Sequence, residues 1–217
     1  MACARRFAVG GYNLIITGRS ADKLQALKAE LEAGGVEVLA LAFDVCNREA
    51  TRDAVASIPD AFKPIDVLIN NAGLARGLEP EYEGDFQDWD EMIDTNIKGL
   101  LNMTRFVVPG MVSLNHGHVI NIGSVAGDAA YAGGGVYCAT KAAVKALTDG
   151  LRIDVAHTSV RGTDLKPGLV ETNFSNIRFH GDNERADNVY KGIKPLVGDD
   201  IADVAFYAAS APEHVQI

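Results

Sequence analysis

Tyr137 and Lys141 stand one helical turn apart in GGGVYCATKAAVKAL, where a glycine-rich stretch gives way to a strongly helix-forming run. At that spacing both side chains leave the helix on one face. An ammonium beside a phenol favours the phenolate, lowering the phenol's pKa from about 10 and allowing proton exchange near neutral pH. The pair alone is a weak signal, because a tyrosine and a lysine on a solvated helix surface share the spacing. Ser124, which closes the upstream run HVINIGS, brings a hydroxyl into the same argument.

Competing chemistries lack their parts. No G-x-S-x-G elbow accompanies Ser124, so a nucleophilic serine is not indicated, and GGGVYCATK lacks the GK[ST] ending of a phosphate loop. His116 and His118 in NHGH are too close for a helical metal face and there is no HExxH, so both read as surface or turn residues and no metal is expected. Cys3, Cys46 and Cys138 are scattered and without CxxC spacing, which indicates reduced thiols; Cys138 reads as a packed side chain rather than a nucleophile.

Positioning these groups requires a framework, and short aliphatic runs alternate with helical patterns along the whole chain. NLIITG, VEVLALAFDV, IDVLINNAG, HVINIGS and SVRGTDLKPG read as strands. Between them lie SADKLQALKAELEAGG, with Leu24, Leu27 and Leu31 on one face, and NREATRDAVASI, with Asn47 as N-cap. Two long helices follow, roughly Asp88 to Val108 and Val136 to Val155. Strands apolar on both faces and separated by helices predict an α/β fold with a doubly wound parallel sheet, Rossmann-like, as a single domain over residues 1–217. Ligands of such sheets bind beyond the carboxyl ends of the strands. That rule singles out Gly18 and Arg19, Asp44 and Val45, Asn70 to Gly73, Gly123 and Ser124, and Pro167 and Gly168.

The chain has 217 residues, 47% hydrophobic and 23% charged, with a net charge of −9 and a pI near 5.0. An acidic protein is a poor match for nucleic acid or an anionic membrane surface, which reward basic patches. The apolar runs are well short of the roughly 18 residues of a membrane span, and MACARRFAVGGYN lacks a signal peptide's apolar core, so a cytoplasmic location is expected.

NNAG (Asn70 to Gly73), Asn96 in DTNIKG, Ser124 in INIGS, Tyr137 and Lys141 in YCATK, and KPGLVET (Lys166 to Thr172) occur in the order found in short-chain dehydrogenases/reductases, which the chain resembles over nearly its whole length. Within that family LVETNFSNIRFHGD and NHGHVINIGSVAG are most similar to NADP-dependent 3-hydroxy acid dehydrogenases acting on serine or allo-threonine. The resemblance implies that Ser124 hydrogen-bonds the substrate oxygen and Tyr137 moves its proton. It also implies that Lys141 lowers the tyrosine pKa and holds the nicotinamide ribose, while Asn96 anchors a water relay to the lysine. Asp44 and Val45 then lie around the adenine, Asn70, Ala72 and Gly73 along the adenosine ribose and phosphates, and Pro167, Gly168, Val170 and Thr172 at the carboxamide. Without the family, Asp44 is equally a turn residue or cap, and Pro167-Gly168 a strand terminator. Arg19 stands where an NAD site expects an acid, and a positive side chain there accommodates a 2′-phosphate, favouring NADP. Arg178 is a candidate carboxylate clamp through its bidentate geometry, or else a solvated surface arginine.

The family opens with a strand, a TGxxxGxG loop and a helix, and this sequence contains no such loop. The expected reading is a chain trimmed at both ends, starting in the tail of that helix and ending early at PEHVQI. The absent strand belongs between NLIITG and IDVLIN, so either both lose a ladder partner or another segment fills the gap. The expected function is hydride transfer between NADP(H) and a small 3-hydroxy acid or its carbonyl counterpart, in a homodimer or homotetramer paired through the two long helices. The rivals are a non-catalytic relative unable to hold a dinucleotide and a reductase of another carbonyl, such as an acyl thioester, sugar or steroid.

Overall fold

Strands and helices alternate in the computed structural model, which describes residues 1–217 except Glu213 and Gln216. The order is α1 (Ala2–Val9), β1 (Leu14–Gly18), α2 (Ala21–Glu32), β2 (Val38–Ala42), α3 (Arg48–Ala56), β3 (Val67–Asn70), α4 (Phe86–Ile93) and α5 (Leu100–Ser113). It continues through β4 (His118–Ile122), α6 (Gly135–Asp154), β5 (Arg161–Leu165), β6 (Val170–Glu171), α7 (Phe174–Arg178), α8 (Asn183–Asn188), β7 (Leu196–Val197) and α9 (Gly198–Ser210). Leu24, Leu27 and Leu31 are buried on α2, and the Asn47 side chain caps α3 by accepting from the Ala50 N–H.

Among the described residues every ladder is parallel. β1 pairs with β2, β4 lies between β3 and β5, and β6 pairs with β7. Successive residues of a strand point to opposite faces, and on β4 both faces are dry. Val119 packs with Val107 and Met111 of α5 and with Val155 and Val160, while Ile120 packs with Phe7 of α1 and Ala205 and Ala208 of α9. Each such aliphatic side chain contributes about 1.5–3 kcal/mol on burial. Covering both faces of a parallel sheet is what makes the fold doubly wound.

The sheet is not continuous: β1–β2 and β3–β4–β5 are separate ladders. Leu14, Ile16 and Thr17 on one side and Val67, Leu68 and Ile69 on the other line a cleft that opens into the space beyond the carboxyl ends of the strands.

Two local expectations are corrected. The first long helix runs from Phe86 to Ser113 but contains a π-helical segment, Asp94–Gly99, between α4 and α5. Tertiary contact imposes it: Asn96 turns into the interior, and Gly99 lies so close to Val45 that an added Cβ would stand 2.7 Å from Cγ2. His118 is not a surface or turn residue. It is buried at the start of β4, with Nε2 2.8 Å from Thr163 Oγ1, and burial pushes its pKa down to about 4. His116 is half-exposed beside Asp66. Among the described residues no helix is long and apolar enough to cross a membrane.

Candidate active site

α6 carries the pair with which the sequence argument began, and its buried face settles their orientation. Tyr137, Cys138, Thr140, Lys141, Val144 and Thr148 are all buried, which excludes the solvated-surface alternative for Tyr137 and Lys141. Ser124 follows the end of β4, where its Oγ accepts from the Ala126 N–H at 3.1 Å and lies 3.5 Å from the Pro167 carbonyl. Ser124, Tyr137 and Lys141 line one cavity of about 1880 Å³. The Tyr137 ring stands edge-on to Phe174, 5.7 Å between centroids. Cys138 packs in the same apolar cluster.

The electrostatics differ from the expectation that Lys141 lowers the Tyr137 pKa. Burial is the main influence and pushes the phenol up, while the Ser124 hydroxyl and, more weakly, the Arg178 charge pull it down. Lys141 donates from Nζ to the Ile122 carbonyl at 2.7 Å and stands 5.9 Å from the tyrosine ring centroid. Burial lowers its own pKa from 10.5 to about 8, against the Asp164 carboxylate, which favours the ammonium. The helical spacing placed both groups on one face, but not their head groups within hydrogen-bond reach.

Asn96 does not line the cavity. Its Oδ1 accepts from the Leu74 N–H at 2.8 Å, and its Nδ2 donates to the Leu74 carbonyl at 2.8 Å and to Thr140 Oγ1 at 2.9 Å. These bonds tie the π-segment to α6 and to the loop after β3. Gly73 lies in that loop, where an added Cβ would sit 3.3 Å from Asn96 Oδ1 and 3.4 Å from Lys141 Nζ. A side chain there would crowd both groups.

Most of the residues expected around a dinucleotide line this cavity. Arg19, Val45, Asn70, Ala72 and Gly73 line it, as do Pro167, Gly168, Val170 and Thr172. Arg19 is exposed and forms only a long ion pair with Asp44, 4.0 Å between Nη1 and Oδ2, so its guanidinium remains accessible to a phosphate. Asp44 itself turns away: its carboxylate accepts from the Cys46 N–H at 2.9 Å, the turn role left open by the sequence. Asn70 lines the cavity, but its Nδ2 donates to Asn121 Oδ1 at 2.8 Å, locking β3 to β4. The lining chemistry, a cation beside small and amide-bearing residues, fits such a group.

Arg178 is buried, which excludes the solvated-surface reading, and it lines the same cavity as Ser124 and Tyr137. The sequence reading missed Asp164, Tyr131 and Thr140. Asp164, a carboxylate inside the strand run GTDL, was the visible anomaly: both of its oxygens are buried without a partner, and burial pushes its pKa up. Thr140, between Tyr137 and Lys141, donates from Oγ1 to the Tyr137 carbonyl at 2.7 Å.

A profile of the short chain dehydrogenase family matches residues 1–182. The NADP-dependent 3-hydroxy acid dehydrogenase YdfG of Salmonella typhi is 51% identical over 215 residues, 99% of this chain and 86% of that protein. The serine 3-dehydrogenase of Agrobacterium fabrum is 44% identical over 216 residues, 100% of this chain and 85% of the relative. The closed form of a serine dehydrogenase complexed with NADP+ superimposes with a TM-score of 0.96 at 47% identity, covering 100% of this chain and 86% of that one. With Ser124, Tyr137 and Lys141 gathered at the carboxyl end of a parallel sheet, these matches show that the chain belongs to the short-chain dehydrogenase family.

Proposed function

We propose that the protein is an oxidoreductase that moves a hydride between NADP(H) and a small 3-hydroxy acid or its carbonyl counterpart. The observation that carries this reading is the convergence of Ser124, Tyr137 and Lys141 on one cavity that the exposed Arg19 also lines. The names of the similar proteins, 3-hydroxy acid dehydrogenase and serine 3-dehydrogenase, supply the substrate class.

The dinucleotide, when bound, gives or receives the hydride. The chain's residues position the substrate and manage the proton. Ser124 hydrogen-bonds the reacting oxygen. In reduction the Tyr137 hydroxyl gives that oxygen its proton, and in oxidation the phenolate takes it back. A phenol held protonated by burial is suited to the donor role, and the nearby Ser124 hydroxyl eases its ionisation. Lys141 offers ammonium hydrogens toward the nicotinamide ribose, and Asn96, its side chain spent on Leu74 and Thr140 rather than on a water relay, holds the loop that carries Gly73 beside the lysine. Arg19 receives the 2′-phosphate, while the segment from Pro167 to Thr172 holds the carboxamide.

Tyr137→Phe removes the transferable proton and little else. NADP-linked oxidation of serine or another 3-hydroxy acid should fall about 10²–10⁴-fold in kcat, the usual worth of general acid–base catalysis, with NADPH binding by fluorescence unchanged. Full activity in Tyr137→Phe would sink this mechanism.

Assembly as a homodimer or homotetramer is part of the proposal. Ile93, Leu101 and Ile153 are exposed apolar side chains on the helices that the family pairs, and light scattering measures the outcome. Three free cysteines suit a reducing, cytoplasmic setting.

A further inference from the structure

Arg178 ends α7 in surroundings unusual for a guanidinium. It is only 9% exposed, and among the described residues no carboxylate lies within ion-pair distance of it. Nε donates to the Gly77 carbonyl at 2.8 Å and Nη1 to the Tyr131 hydroxyl at 2.9 Å, while Nη2 is buried with no partner. Three rings surround it, with Cζ 5.4 Å from the Tyr131 centroid, 5.8 Å from Tyr137 and 6.0 Å from Phe179. A desolvated cation without a counter-charge is unfavourable. Arg76 in the neighbouring loop has Glu91 at 2.8 Å, so the fold supplies a partner there and not to Arg178.

The guanidinium is also fixed in place. The Gly77 N–H donates to the Arg178 carbonyl at 3.0 Å, and Arg76 Nη1 donates to the Ile177 carbonyl, clasping α7 to the loop after β3. A planar fork held this way, with one nitrogen unspent, matches a carboxylate that enters beside Ser124 and Tyr137. Beside it stands Tyr131, whose hydroxyl accepts from Nη1; it is 39% exposed and rests on Gly134, where an added Cβ would strike its ring. That side chain can turn outward without unpacking the core.

We propose that Arg178 is the receptor for the substrate's carboxylate and Tyr131 its movable cover. This rests on Ser124 and Tyr137 being the reacting pair, and it specifies the substrate as a small monocarboxylate recognised by charge.

The test separates recognition from turnover. Binding of 3-hydroxybutyrate and of its methyl ester is measured by NMR titration, and NADP-linked oxidation of both is followed alongside. Wild type should bind the acid at least about 10-fold more tightly than the ester, as charge-assisted hydrogen bonds imply. R178Q should abolish that preference while leaving ester binding unchanged, and R178K should restore part of it. Y131F keeps the guanidinium but frees Nη1, and it should change acid affinity and not ester affinity; it serves equally if R178Q fails to fold. Equal binding of acid and ester by wild type, a preference that survives in R178Q, or equal loss of both ligands in R178Q would overturn the receptor. Selective acid binding without oxidation of either compound would instead overturn the proposed reaction and leave the receptor standing.

Discussion

At the scale of single residues, burial governs the chemistry more than the spacing that first drew attention to it. Tyr137 and Lys141 were legible as a pair because helical periodicity places them on one face, and Ser124 because it follows a strand. Their protonation was not legible, since it depends on depth and on Asp164, a partner met only in the fold. Lys141, buried, has its pKa lowered from 10.5 to about 8, with Asp164 holding it up. As pH rises through about 8 the ammonium loses the hydrogens it would offer the ribose, so kcat/KM for carbonyl reduction should fall with an apparent pKa near that value. Asp164→Asn removes the favourable charge and should move this alkaline limb to lower pH; an unmoved limb in the pH–rate profile would contradict the coupling. Stability runs the other way. Between about pH 8 and 10.5 the unfolded chain binds the Lys141 proton more than the folded one, so this residue's contribution to folding rises with pH across that window.

At the scale of elements, one interrupted helix holds the segments after β2 and β3, which bring Val45 and Gly73 to the cavity. From the π-segment, Asn96 grips Leu74 in the loop after β3, and from α5 Asn102 donates to the Val45 carbonyl at 2.8 Å beyond β2. The helical period of this run was visible in the sequence. The π-turn was not, because it answers to Gly99 meeting Val45 and to Asn96 meeting Leu74, contacts far apart in the chain. Asn96→Ala leaves the buried N–H and carbonyl of Leu74 without their partner, a loss of about 1–3 kcal/mol. For a domain of this size the thermal midpoint should fall by roughly 2–4 °C per kcal/mol, read by circular dichroism. Gly73 should lose its register against Lys141 at the same time, so NADP-linked activity should drop by more than Asn102→Ala causes. Equal effects of the two substitutions would mean that the loop is held by something other than Asn96.

At the scale of the whole molecule, two ladders are joined by helices rather than by strand pairing. The alternation of strands and helices made the layers legible, whereas the break between β1 and β3 followed from the family pattern alone and not from any local signal in either strand. What spans the break is α1 lying on α9, through the mutually edge-on rings of Phe7, Tyr12 and Phe206. β4 has ladder partners on both sides and apolar cover on both faces, so its amides open only with the entire fold. Among the described residues β1 pairs only with β2, and the two strands can separate from the rest once the aromatic contact fails. Native-state hydrogen exchange should therefore give β1–β2 a lower opening free energy than β4. Phe7→Ala, which deletes a buried ring worth about 3–5 kcal/mol, should lower protection in β1–β2 first and by the larger amount. If Phe7→Ala instead lowered protection equally in β1, β2 and β4, the two ladders would be a single cooperative unit in which the helices transmit stability as fully as hydrogen-bonded strands do.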